Sequence, residues 1–118
     1  AFTDHALGFL TDLDPDDERP FFLYLAFTAP HDPLHAWPED IDRYKGRYDD
    51  GWQAIRERRY RRQQQSGLLA GNVGLSKADF GDWEELDAAA RATEARRMEV
   101  YAAMILCLDR NVGRRSRP

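Results

Sequence analysis

The sequence predicts an α/β fold in which one buried strand is flanked by several helices, and three observations carry that expectation. Residues Phe21-Phe-Leu-Tyr-Leu-Ala-Phe-Thr28 form an aromatic-rich run, apolar on both faces and bounded by Pro20 and Pro30, as a strand buried within a parallel or mixed sheet requires. A helical pattern and a polar turn precede it, the order of half a βαβ unit. A histidine follows it at once, in a loop braced by Pro30 and Pro33. A strand of this kind needs partners for its backbone donors and acceptors. No other segment reads as one, so the chain is expected to be part of a larger domain.

Each element has its own local reason. Thr3 and Asp4 can cap a first helix whose apolar positions Phe2, Ala6, Leu7, Phe9, Leu10 and Leu13 gather on one side. Asp14-Pro-Asp-Asp-Glu-Arg-Pro20 ends it as a polar turn. After the histidine loop, Pro38 and Glu39 open a short helical turn through Ile41 and Tyr44, with Gly46 as its stop. Asp49 and Asp50 suit the positive end of a second helix that carries Trp52, Ile55 and Tyr60 towards Gln65, and Gly67 closes it. From Leu68 to Asp82 no period is sustained and glycines are scattered, the pattern of a surface loop. Trp83 and Leu86 anchor its far end. In the last helix Ala95, Met98, Tyr101, Ala102, Ile105, Leu108 and Val112 recur every three or four residues, predicting one packed face.

Composition bounds the function. The 118 residues are 42% hydrophobic, 12% aromatic and 32% charged, with a formal net charge of −4, which is one domain's worth at most. Mild acidity gives no reason to expect nucleic acid or an anionic membrane as partner, and no apolar run approaches the roughly 20 residues of a membrane helix. The single cysteine, Cys107, excludes an internal disulfide.

His31 is the leading candidate site residue. In open α/β sheets ligands bind beyond the carboxyl ends of strands, and His31 stands three residues past such an end with prolines restricting the backbone around it. An imidazole there can donate to an oxyanion, shuttle a proton, ligate a metal or simply tie the loop to nearby backbone. His35 lies four positions on, but Pro33 between them argues against a helical metal pair, leaving pocket lining as its role. Asp32 can orient either ring or remain a solvated loop carboxylate. Arg56, Arg58, Arg59, Arg61 and Arg62 spread around their helix at about 100° per residue and read as solvated or ion-paired surface. Cys107 sits inside the last helix with no histidine nearby in sequence and reads as a small core residue. The Glu84-Glu85 and Asp109-Arg110 charges read as surface or capping groups.

The string Pro20-Phe-Phe-Leu-Tyr-Leu-Ala-Phe-Thr-Ala-Pro-His-Asp-Pro-Leu-His-Ala36 resembles the sulfatase segment that reads Pro-Phe-Phe-Leu-Tyr-Leu and then Thr-Ala-Pro-His-x-Pro-Leu, above all in bacterial arylsulfatases. Asp40-Ile-Asp-Arg-Tyr-Lys-Gly-Arg-Tyr-Asp-Asp-Gly-Trp52 is similar to a second segment. Glu94-Ala-Arg-Arg-Met-Glu-Val-Tyr-Ala-Ala-Met104 with Leu108-Asp-Arg-Asn-Val-Gly113 is similar to a third, in the same order. The resemblance covers nearly the whole chain and is weakest over Leu68 to Asp82.

That resemblance implies an alkaline-phosphatase-like α/β sandwich, with residues 1–118 as a central part of its catalytic domain and the remainder of the domain as partner. It implies hydrolysis of a small-molecule sulfate ester by a formylglycine made from a cysteine in Cys-x-Pro/Ala-x-Arg, with calcium. Neither the modified cysteine nor the calcium ligands are expected among these residues, since Cys107 stands in Cys-Leu-Asp-Arg; the chain by itself is therefore expected to be inactive. His31 matches the histidine that contacts the substrate sulfate and helps the leaving group depart, while His35 is at most pocket lining. Two alternatives stand beside this. A phosphodiesterase or phosphonate hydrolase of the same superfamily shares the loop, and a noncatalytic helical interaction module could use the Trp52 helix and the last helix as apolar faces.

Overall fold

The computed structural model describes residues 2–14, 16 and 19–114. The turn expected over residues 14–20 and the tail after Gly113 fall partly outside them. Four helices run in chain order: α1 (Phe2–Thr11), α2 (Pro38–Asp42), α3 (Gly51–Gln65) and α4 (Ala88–Gly113), with a 3₁₀ turn at Trp83–Glu85 before the last. Helix α4, 26 residues and hence about 39 Å long, is the spine of the molecule. Asp87 starts it, its carboxylate accepting the Ala90 N–H at 2.8 Å.

The buried face of α4 is made of small and polar residues. Ala95, Glu99, Ala102, Ala103 and Met104 are buried, and Ala103 is fully enclosed at 0% exposure. With only alanine at 95 and 103, two turns apart, the five-residue α2 packs on the spine and Ile41 is buried. Of the positions expected to form one packed face, Ala95 and Ala102 are buried and Leu108 is half-buried, whereas Met98, Tyr101, Ile105 and Val112 are 38 to 48% exposed. The packed face is therefore shifted towards the small residues of the expected stripe, and α2 packs on α4.

The expected buried strand is corrected by the structure. No strand occurs among the described residues. Residues 21–28 run extended with alternating exposure, Phe22 at 90% and Tyr24 at 80% exposed, Leu23, Leu25 and Phe27 half-buried. The reason is the one that made the strand improbable alone: no described segment offers an edge to it, so no ladder forms. Residues 2–14 also differ from expectation. Thr3 and Ala6 are buried, whereas Phe2 and Phe9 are about half exposed, and Thr3 lies inside the helix instead of capping it.

The radius of gyration is 19.4 Å, against about 13.5 Å for a compact domain of this length. The accessible surface of 9492 Å² likewise exceeds the roughly 6,600 Å² expected of a folded monomer of this mass. Of the helices, α2 packs on α4 and α3 on the 3₁₀ turn, which leaves many large apolar side chains exposed.

Helix α3 ends as expected, at Gln65, with Gly67 in the left-handed region at φ 74°. Asp50 precedes it but caps nothing; its carboxylate pairs with Arg58. The 68–82 segment is tied down by α3 side chains. Trp52 Nε1–H donates to the Gly81 carbonyl at 2.9 Å, Arg56 to the Ser76 carbonyl at 2.6 Å, and Tyr60 O–H to the Val73 carbonyl at 2.6 Å. Trp83 is the expected anchor, 6% exposed and edge-on to Trp52 with centroids 4.9 Å apart.

Candidate functional site

The histidine loop is a turn followed by an irregular descent onto α2. The His31 N–H donates to the Thr28 carbonyl at 3.1 Å, closing the turn. The His31 ring then lies back on its own loop, with Nδ1 2.8 Å from the Asp32 carbonyl oxygen. A carbonyl only accepts, so Nδ1 carries the hydrogen and Nε2 is the atom left for other chemistry. Asp32 thus orients His31 through its backbone, where the sequence suggested its carboxylate. His31 itself is exposed.

The loop is laid along α4. Pro30, Asp32, Pro33 and Leu34 face an open cleft against residues 94–101 of α4. His35, Ala36 and Trp37 line a second cavity of about 410 Å³ with Met104, Cys107 and Asn111 of α4, Thr3 of α1 and Phe27. His35 lines this cavity, and His31 is not among the residues around that space. The two histidines serve different places. Among the described residues no cluster of three His, Cys, Asp or Glu side chains could hold a metal ion.

Cys107, expected in the core, is half-buried in the wall of the same cavity, its carbonyl accepting from Asn111 Nδ2 at 2.8 Å. Three of the five α3 arginines are ion-paired or hydrogen-bonded: Arg58 to Asp50, Arg61 to Glu57, Arg56 to Ser76.

Two buried carboxylates escaped the sequence reading. Asp40, in α2, has a side chain 3% exposed and is paired with Arg110 of α4. Glu99, 6% exposed, accepts from the Gly46 N–H and from Arg96, both at 2.8 Å. Burial pushes the Glu99 carboxyl up, but the Arg96 guanidinium and the Gly46 amide outweigh it, holding the group below the ordinary carboxylate range. Arg110 was read as a surface charge. Its partner lies 70 residues away in sequence, and no local pattern announces such a pair.

An imidazole with one nitrogen committed to backbone and the other available can bind an anion or transfer a proton. The comparisons with known proteins narrow the class. The Sulfatase family model matches residues 1–114. An uncharacterized sulfatase of Schizosaccharomyces pombe is 42% identical over 102 residues, covering 84% of this chain and 18% of the relative. An arylsulfatase of Klebsiella aerogenes is 39% identical over 97 residues, covering 81% of the chain and 21% of the relative. The chain belongs to the sulfatase family, whose membership implies an alkaline-phosphatase-like α/β fold. It spans about a fifth of the length of these curated relatives.

Proposed function

We propose that this chain forms the histidine-loop segment of a sulfuric ester hydrolase of arylsulfatase type, in which His31 contacts the sulfate ester of the substrate. The observation that supports this is the committed Nδ1 of His31, which fixes the ring and leaves Nε2 for the substrate. As the bond from sulfur to the bridging oxygen breaks, the imidazolium form of His31, which carries hydrogen on both nitrogens and keeps Nδ1–H on the Asp32 carbonyl, can pass its Nε2 proton to that oxygen, so that the alcohol or phenol departs neutral and the ring is left neutral with its hydrogen on Nδ1. Developing negative charge meets a preplaced donor.

The formylglycine and calcium that the family implies do not fit the described residues. Cys107 lies mid-helix in Cys-Leu-Asp-Arg, and no described side-chain cluster suits a metal. The role assigned to these residues is therefore binding and proton transfer, with the remainder of a sulfatase domain as partner.

The test is turnover of aryl sulfates by the full-length polypeptide carrying this chain, with and without His31→Ala. Removal of one preplaced donor is expected to lower kcat/KM by about 10²- to 10³-fold, equivalent to about 2.7–4 kcal/mol. The loss should be larger for an alkyl sulfate than for nitrophenyl sulfate, whose leaving group needs less protonation. Equal kcat/KM for variant and parent would remove His31 from the reaction. A preference for aryl phosphates or phosphodiesters over sulfates would reassign the chemistry to phosphorus.

A further inference from the structure

We infer that Asp40 and Arg110 are the positioning pair that seats the histidine loop on α4, a role that rests on His31 being the group that contacts substrate. The loop has little of its own to hold it. His31, Asp32, Pro33, His35 and Trp37 are all exposed, and the cleft and the cavity separate much of it from close packing on α4. The two hydrogen bonds of His31, to Thr28 and Asp32, are internal to the segment and travel with it.

What fixes the loop is its exit. Trp37 ends it, and the Trp37 carbonyl accepts from the Asp40 and Ile41 N–H groups at 3.0 and 3.1 Å, so the loop's last residue is hydrogen-bonded directly to the first turn of α2. Five residues cannot sustain a helix unaided, so α2 keeps its place only by docking. Ile41 supplies the apolar contact, 8% exposed. Asp40 supplies direction: a charge buried this deeply is costly unless paired, and Arg110 is its partner, standing near the carboxyl end of α4 where the helix dipole favours positive charge.

A second grip makes the alignment determinate. Glu99 holds the Gly46 N–H beyond α2, and positions 99 and 110 on α4 lie about 16 Å apart, close to three full turns and hence on one face. Held at both ends, the 40–46 segment runs antiparallel to α4. Of the two grips, Asp40–Arg110 is the one nearest the loop, three residues after Trp37. Its loss should free residues 28–37 first.

The experiment uses the full-length polypeptide and two readings made on the same variants. Amide hydrogen exchange is followed in peptides covering residues 38–47, where the Asp40 and Ile41 N–H groups hold the Trp37 carbonyl, and, as an internal control, residues 51–65 of α3, together with aryl-sulfate kinetics. Arg110→Gln is expected to speed exchange over 38–47 by about ten- to a hundredfold, the loss of one charge-assisted hydrogen bond, with α3 unchanged. It should lower kcat more than it alters KM, and Arg110→Lys should restore most of both. His31→Ala should cost less in the Arg110→Gln background than in the parent, because a misplaced donor has less to lose. Unchanged exchange over 38–47, or an equal rise in α3, overturns the inference. If that segment responds while His31→Ala leaves turnover intact, the seating stands and the role of His31 falls. Asp40→Asn, which keeps the shape of the buried side chain, gives the same comparison if Arg110→Gln does not fold.

Discussion

Gly51 and Gly67 offer a matched pair of perturbations. Both backbones are left-handed, at φ 82° and 74°, so alanine at either meets a similar backbone penalty of about 1–2 kcal/mol, partly offset by about 0.4–1 kcal/mol from restricting the unfolded chain. Their surroundings differ. A Cβ on Gly67 meets nothing within 4 Å, whereas one on Gly51 would stand 2.3 Å from Cγ of Trp83 and 2.5 Å from its Cδ2. Those are atoms of a rigid buried ring, so the ring must move. Exposing a third of an indole of roughly 200 Å² costs about 1.5–2 kcal/mol at 25 cal/mol per Å², and loss of the edge-on Trp52 contact adds about 0.5–1.5 kcal/mol. Gly67→Ala should therefore destabilise by about 1 kcal/mol and Gly51→Ala by about 3–4 kcal/mol. Urea unfolding followed by tryptophan fluorescence reads the difference, with equal m-values required for the comparison. If the two variants unfold within 1 kcal/mol of each other, close approach of Gly51 and Trp83 is not what holds α3 against the 3₁₀ turn.

Glu99 sets a pH dependence. Because its carboxyl is held below the ordinary value of 4.5, the unfolded chain binds the proton more readily, so this contribution is present above pH 4.5 and lost as the pH falls below it. Glu99→Gln should flatten the acid limb of Tm against pH below 4.5; an unaltered acid slope would show that Glu99 contributes no linkage. His35 lines the cavity without being placed on the reacting bond, so His35→Ala is expected to raise KM for bulky aryl sulfates several-fold and leave kcat near the parent value. A fall in kcat comparable to that of His31→Ala would contradict the pocket-lining role.

Much of the local structure was legible. Helix α3 ends where Gln65 and Gly67 indicated, α4 covers the repeating apolar positions, and Trp83 anchors the 68–82 segment. These features depend on short-range chemistry: caps, left-handed glycines and helical spacing. The turn that carries His31 was legible as well, because prolines after an apolar run constrain the backbone there. The strand was misread, since an apolar run becomes a strand only when another edge completes its hydrogen bonds. The packed face of α4 was legible only in part, at Ala95 and Ala102, for a related reason. Periodicity marks which residues share a face and is silent on what that face meets, and here the small face met α2.

The sequence by itself determined the family, the histidine at its loop, and the positions where the chain turns into and out of its helices, because these reside in residue identity and neighbours a few places apart. Tertiary structure decided which nitrogen of His31 is available, that His35 and Cys107 share a cavity wall, that Asp40 is buried against α4, and that Glu99 of α4 is buried beneath the Gly46 turn. Contacts such as Asp40 with Arg110 join groups 70 residues apart. Only the folded chain brings them within range, and burial then turns an ordinary charge into one that must be paired.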